Sequence, residues 1–379
     1  MKILHVITGL RVGGAERFLQ RLILASGARH GLRHTVISLV ELGPVGAELR
    51  AAGIEVHPIE SRGALSLLWK IPKLVRLIRG LSPDIVQTWM YHADIVGGIA
   101  AKIATSAPIA WNVRVALGPL KLRTRVLVRV AAFLSKTIPD RIVCCGPVVL
   151  RDHADIGYAA EKLVVIPNGY DLARFAATAD DLARRAAHDS GDITILSVGR
   201  YDPQKGYPAL IETVARLQES GVTARFRLVG PGCIPANRAL ADQIDSHGVT
   251  SRFELAGPAD DMRRVYADAD IFCLPSLFEG FPNVLAEAMA MALPCVATDA
   301  GDAATLAGQY ARVVPPGNVD ALAGALAAII ALSPAERQSM GSAARRHIEA
   351  NYALDHVAGL YVEFYRRLAK RPPNQPADI

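Results

Sequence analysis

Two glutamates, Glu279 and Glu287, interrupt the apolar run "PSLFEGFPNVLAEAMAMALP" at residues 275–294, with a Gly-Phe-Pro-Asn break between them. A carboxylate taken out of water is costly unless something pairs with it. The pair is therefore either a turn residue and a solvated helix residue, or a grip on a ligand. Pro282 predicts a helix from about Asn283 to Met291 with the proline in its first turn, Glu279 in the preceding loop and Glu287 one turn inside. The start of that helix offers amides beside Gly280, Phe281 and Asn283. Carboxylates accept hydrogen bonds from hydroxyl groups, so this arrangement suits a polyol such as a sugar. The apolar surrounding "VLAEAMAMALP" leaves little polar face for a merely solvated Glu287.

Three other positions invite chemistry. In "VGRYDPQKGYPALIE", residues 198–212, Arg200 can fork onto a phosphate, Lys205 adds a second cation and Gly206 opens the next helix. Lone basic residues are more often surface charges, but a place at the end of a strand favours convergence on one diphosphate. In "TGLRVGGAER", residues 8–17, Gly9, Gly13 and Gly14 allow close backbone approach ahead of a helix starting near Ala15. The spacing is not the dinucleotide G-x-G-x-x-G, which disfavours a cofactor-binding Rossmann site; a tight turn needing positive φ is the open alternative. His92 follows the run "DIVQTW" and can donate to a sugar hydroxyl. Packing against Trp89 or Trp111 is the plainer alternative.

The elements that position these residues read as α/β. Strand-like runs at 2–7, 34–40, 54–59, 84–89, 108–113 and 140–145 alternate with helical stretches at 15–26, 65–80, 92–104, 120–135 and 147–155. This spacing predicts a parallel sheet covered on both faces. An alanine- and aspartate-rich segment at 172–192 marks a boundary, after which strands recur at 193–199, 225–230, 253–257, 271–275 and 294–298. The expectation is a doubly wound domain over 1–175, a second over 176–352, and a C-terminal helix and tail, 353–379, packing back toward the first. In open α/β sheets ligands bind outside the carboxyl ends of the strands, here in a cleft between the two domains.

At this point "SLFEGFPNVLAEAMAMALPCVATDAG" resembles the signature of retaining glycosyltransferase family 4, whose members have the GT-B fold, two Rossmann-like domains around a donor cleft. The likeness extends to the glycine loop at 9–14, "WMYHADIVGG" at 89–98, "NGYD" at 168–171 and "GRYDPQKGY" at 199–207. It implies that Arg200 and Lys205 bind the donor diphosphate and stabilise it as leaving group. Glu279 would hold the transferred sugar with backbone amides at Gly280, Phe281, Asn283 and Val284, and Glu287 the ribose hydroxyls. Gly13 and Gly14 would approach the diphosphate or the acceptor, and His92 would sit near the sugar. The expected donor is a uridine-linked hexose or N-acetylhexosamine; the nucleotide sugar is a co-substrate, with no cofactor and no metal, since "DADI" at 268–271 reads as the approach to a buried strand.

Charge points to the acceptor side. The net +6 of the 379 residues divides into 23 Lys and Arg against 12 Asp and Glu in 1–175, or +11, and 19 against 24 in the remainder, or −5. A basic front half suits an anionic partner. Residues 119–136 carry Lys121, Arg123, Arg125, Arg129 and Lys136 among Leu and Val, and 65–80 carry Trp69, Lys70, Lys73, Arg76 and Arg79. Such helices suit an anionic membrane surface, and equally a surface helix with its apolar face on the core. A lipid-linked or oligosaccharide acceptor is expected, as is a cytoplasmic chain peripheral to the inner face of the membrane. Nucleic acid is disfavoured because no matching motif accompanies the charge. Five scattered cysteines read as reduced core thiols. A nucleotide-sugar epimerase of the same fold and a non-catalytic nucleotide-sugar-binding subunit are the competing functions.

Overall fold

The computed structural model describes residues 1–61, 63–118, 122–187 and 193–370. Lys121, part of the expected basic helix, lies outside them. Two compact units result, Met1–Gly169 with the chain from Leu354 onward, and Tyr170–Ala353.

The first unit holds a seven-stranded parallel sheet of β1 (Lys2–Ile7), β2 (Arg33–Ser38), β3 (Glu55–Pro58), β4 (Ile85–Trp89), β5 (Ile109–Val113), β6 (Arg141–Cys144) and β7 (Leu163–Val165), in the order β3-β2-β1-β4-β5-β6-β7. The order reverses between β1 and β4, which pair directly from Ile3↔Ile85 to Ile7↔Trp89. β4 and β5 are buried at every residue, as central strands covered on both faces must be. The helix Gly14–His30 buries Phe18, Leu19 and Leu22, and the C-terminal helix Leu354–Ala369 packs against it through Tyr361. Hydrogen bonds fasten that last helix to the sheet: the Asn112 amide donates to the Tyr361 hydroxyl at 3.0 Å, and the Tyr365 hydroxyl donates to Gln87.

The second unit holds β8 (Thr194–Val198), β9 (Arg225–Val229), β10 (Phe253–Gly257), β11 (Ile271–Leu274), β12 (Cys295–Thr298) and β13 (Arg312–Val314), in the order β10-β9-β8-β11-β12-β13, all parallel. Its reversal lies between β8 and β11. The division between units falls at Gly169/Tyr170 rather than 175, because Tyr170 is fully buried in the second unit; its amide donates to the Tyr352 carbonyl and its hydroxyl to Asn283.

Several local expectations need correction. The stretch 65–80 is two helices, Ala64–Trp69 and Ile71–Leu81, broken at Lys70 where Pro72 opens the second. The stretch 92–104 starts with a π-turn, Ala93–Gly97, before the α-helix Gly98–Ala104. β7 and β13 are three-residue edge strands, too short to show alternation. All five cysteines are free and buried. Among the described residues no single helix is long and apolar enough to cross a membrane; Val319–Ile330 and Pro334–Tyr352 reach that length and composition only as a pair, bent by 113°.

Candidate active site

The second unit's reversal point is built from two loops that lock into each other. After β8, Gly199 and Arg200 leave the sheet, and Asp202 accepts from the Gln204 amide at 3.1 Å to start a single turn, Pro203–Lys205. Gly206 ends that turn at φ +66, where an added Cβ would lie 2.0 Å from the Pro275 carbonyl oxygen of the loop after β11. Only glycine meets both the left-handed backbone and that contact. The Leu277 amide donates to the Gln204 carbonyl at 2.7 Å, which joins the two loops through their backbones.

This junction brings Lys205 to Glu279. The ammonium Nζ stands 2.6 Å from Glu279 Oε1, with the two side chains 14% and 10% exposed. Ser276 donates to the same oxygen at 2.7 Å, and the Thr298 hydroxyl at the end of β12 donates to the Ser276 carbonyl. Gly301, at φ +58, presses on the Glu279 carbonyl, where a Cβ would come within 2.0 Å. The Asp302 amide donates to the Gly280 carbonyl at 3.0 Å. A desolvated carboxylate with an ammonium and a hydroxyl on one oxygen has a fixed orientation. Arg200 stands apart from this pair: it is 57% exposed and its Nε donates to Asp202 at 3.2 Å. The structure thus joins Lys205 and Glu279 and leaves Arg200 on its own carboxylate.

The helix after the break runs Asn283–Ala290, with Pro282 as its N-cap residue rather than in its first turn. The Pro282 carbonyl accepts from the Leu285 amide at 3.0 Å, so the proline's missing N–H costs nothing there. Phe281 is buried against Tyr352 and anchors the loop. Asn283 accepts from the Tyr170 hydroxyl at 2.8 Å, and Val284 is half-buried on the first turn. Glu287 is half-buried and is not a solvated helix residue: the Tyr266 hydroxyl donates to its Oε2 at 2.9 Å.

The first unit's reversal point carries the glycine loop and His92. None of Gly9, Gly13 and Gly14 has positive φ, so the tight-turn reading is corrected. Gly13 is extended, at φ −158, as the N-cap of the helix Gly14–His30. Its missing Cβ leaves room for the Glu16 carboxylate, which lies 2.4 Å from where that atom would be. Burial raises the Glu16 pKa above its ordinary value. His92 follows β4 after Met90, a non-glycine residue at φ +70, and precedes the π-turn. Both features recur where a side chain must be presented in one direction. His92 is half-buried, and burial lowers its pKa, which keeps the imidazole neutral at pH 7. Trp89 packs on His5 and Phe18, and among the described residues neither Trp89 nor Trp111 stacks on His92.

Ser276, Thr298, Gly301 and Tyr266 went unassigned in the sequence. Ser276 sits three residues before Glu279 and was open to the same reasoning; Tyr266 carries no local signal and is found only through its tertiary contact.

The family model described as Glycosyltransferase Family 4 matches residues 12–174, and the one described as Glycosyl transferases group 1 matches residues 192–331. D-inositol 3-phosphate glycosyltransferase of Kribbella flavida is 35% identical over 213 residues, 51% of this chain and 48% of that protein. The amylovoran biosynthesis glycosyltransferase AmsK of Erwinia amylovora is 30% identical over 225 residues, 57% and 51% of the two chains. The MMP alpha-(1->4)-mannosyltransferase of Mycolicibacterium hassiacum is 27% identical over 263 residues, 67% and 60%. The chain thus spans between 48% and 60% of the length of these relatives. Among solved structures, Anabaena Alr3699/HepE in complex with UDP superposes with a TM-score of 0.83 at 23% identity, covering 97% of this chain and 100% of that one. A glycosyltransferase from Rickettsia africae gives 0.81 at 19%, covering 98% and 99%. At these identities the structural likeness is one of fold. The two models follow one another along the two doubly wound units, so the chain carries a Glycosyltransferase Family 4 domain followed by a Glycosyl transferases group 1 domain.

Proposed function

We propose that the chain is a retaining, metal-independent glycosyltransferase that moves a hexose or N-acetylhexosamine from a UDP-linked sugar to a lipid-linked or polysaccharide-precursor acceptor in cell-envelope glycan biosynthesis. The Lys205–Glu279 pair at the β8/β11 reversal carries this reading. Departure of a nucleoside diphosphate develops negative charge, and a cation already fixed in a largely buried site opposes it most strongly in the transition state. Arg200, exposed and hinged on Asp202, is the second cation, able to swing onto a phosphate. Glu279 accepts from a sugar hydroxyl, with its orientation set by Lys205 and Ser276. Glu287 takes the ribose hydroxyls. Gly280, Phe281, Asn283 and Val284 offer backbone amides, His92 a neutral imidazole for a sugar hydroxyl, and Gly13 and Gly14 a close approach to the diphosphate or the acceptor.

In the step proposed, the bond between the anomeric carbon and the leaving phosphate oxygen breaks, and the acceptor oxygen bonds to that carbon from the same face. Its proton passes to an oxygen of the departing phosphate. Glu279 acts as a binding and electrostatic residue. The UDP bound in the Anabaena structure and the amylovoran biosynthesis role of the Erwinia relative support the donor and pathway class.

Membrane attachment has its own support. The helix Leu122–Ser135 buries Val128, Ala131, Ala132 and Ser135, yet leaves Leu122, Val126, Val130 and Phe133 outside, with Leu122 77% and Phe133 73% exposed. These four lie along one stripe. Exposed Arg125, Arg129 and Lys136 flank it on one side and Arg123 on the other. The buried face packs on the core, and the exposed apolar stripe with its flanking cations supports the membrane-surface reading.

The test is a panel of nucleotide sugars scored for thermal stabilisation and turnover. One sugar nucleotide should stabilise the protein and be consumed, and the Arg200→Ala, Lys205→Ala double variant should stay folded without turnover; turnover equal to the parent's refutes the assignment.

A further inference from the structure

Tyr266 lies on the helix Met262–Ala267, away from every segment that carries the family signature, and is fully buried. Its hydroxyl is 2.9 Å from Glu287 Oε2, with the Val284 carbonyl at 3.3 Å as a second acceptor. Two aromatic neighbours hold the ring and an arginine holds the residue's backbone. Phe175 meets it edge-on at 5.9 Å, Phe272 lies tilted at 6.0 Å, and Arg185 donates to the Tyr266 carbonyl at 2.9 Å. Arg185 also donates to the Met291 carbonyl at 2.8 Å, and Arg345 to the Ala290 carbonyl at 2.6 Å, so the same clamp holds the end of the helix that bears Glu287. Burial and the Glu287 carboxylate push the phenol well above its ordinary pKa, which keeps it a donor at every working pH.

We infer that Tyr266 is a positioning residue that sets the orientation of the Glu287 carboxylate and thereby the site's preference for a ribose bearing its 2′- and 3′-hydroxyls. The inference rests on the reading of Glu287 as the ribose contact. A carboxylate on a half-buried helix turn has several rotamers, and only some aim its oxygens at a vicinal diol. A donor fixed in a packed core selects among them without touching the ligand, at no cost when the ligand arrives. The effect should be specific to the hydroxyls and absent for a nucleotide that lacks them.

The probes are UDP and GDP, each with its 2′,3′-dideoxy counterpart, titrated calorimetrically into the parent, Tyr266→Phe, Glu287→Gln and the double variant. The parent should bind one ribonucleotide about tenfold or more tighter than its dideoxy form, the size of a hydrogen bond to a charged group. Tyr266→Phe should reduce that ratio to about threefold or less by weakening the ribonucleotide alone. In the Glu287→Gln background the tyrosine change should leave the ratio where it stands. Equal weakening of both ligands in Tyr266→Phe would mean a merely structural tyrosine and overturn the inference, as would an unchanged ratio. A parent that binds neither diphosphate overturns the donor-site reading itself, a result distinct from either.

Discussion

Removing the Lys205 ammonium separates the structural from the chemical role of the pair it makes. Breaking a fully buried ion pair by deleting one partner costs about 3–5 kcal/mol, because the other charge stays buried without it. Here the side chains keep 14% and 10% exposure and Ser276 still donates to Glu279, so water and hydroxyl recover part of the loss. About 2–3 kcal/mol should remain, which for a unit of this size lowers its melting temperature by about 5–10 °C. In Lys205→Ala/Glu279→Gln the orphaned charge is gone, and the double variant should melt above the single one. Calorimetry on the four proteins of this cycle gives the coupling directly. In the same preparations, nucleoside diphosphate release by Lys205→Ala should fall about 10²–10³-fold, as for removal of one charge-stabilising donor from a transition state, with the donor KM close to the parent's. Additive melting shifts would show that the pair contributes nothing to the fold. A loss confined to KM would show that Lys205 binds the donor without opposing the leaving charge.

Further outcomes follow from the same geometry. Gly206→Ala and Gly221→Ala both place a Cβ at positive φ, but only the first meets a backbone oxygen at 2.0 Å, whereas the second has nothing within 4 Å. Gly221→Ala should therefore cost about 1 kcal/mol and Gly206→Ala distinctly more, with loss of nucleotide binding; equal melting shifts would contradict the role given to the loop junction. In the first unit Trp89 donates to His5 Nδ1, which leaves His5 Nε2–H to donate to His34 Nδ1 and His34 Nε2–H to donate to Ser26. Burial lowers the His34 pKa from 6.5 to about 4, so the unfolded chain binds a proton there that the native chain does not. Stability is then full above pH 6.5 and falls by roughly 3 kcal/mol on the way down to pH 4. His34→Gln should flatten that slope in urea melts, and an identical slope refutes the buried-neutral account. Substituting Leu122, Val126, Val130 and Phe133 by serine should abolish salt-dependent binding to vesicles containing anionic phospholipid while leaving the fold intact; parent-like binding would remove the membrane from the account.

Much of the architecture was legible in sequence order, because each β-branched run is followed by a helix-length stretch and parallel sheets admit few other connections. Glu279, Lys205 and Arg200 were legible as residues at strand ends, but their pairing was not. Placing Lys205 on Glu279 depends on Gly206 fitting under the Pro275 carbonyl, a contact between loops 69 residues apart in number that no local pattern encodes. The glycines at 9–14 misled for a related reason: Gly13 is small because the Glu16 carboxylate folds over it, not because its backbone is left-handed. Tyr266 escaped entirely, since a tyrosine in a six-residue helix looks like core until its hydroxyl partner is seen. Periodicity reports faces and ends of elements; it does not report which side chains meet.

The central claim is glycosyl transfer from a nucleotide sugar at the Lys205–Glu279 loop junction. It is tested most directly by supplying the donor that the panel selects with an extracted lipid-linked glycan acceptor, in the presence of a chelator, and reading product mass and anomeric configuration by mass spectrometry and proton NMR. The account predicts a product heavier by one hexose or N-acetylhexosamine, with the donor's anomeric configuration kept. An unchanged acceptor with an altered free nucleotide sugar, or a product of inverted configuration, would contradict it.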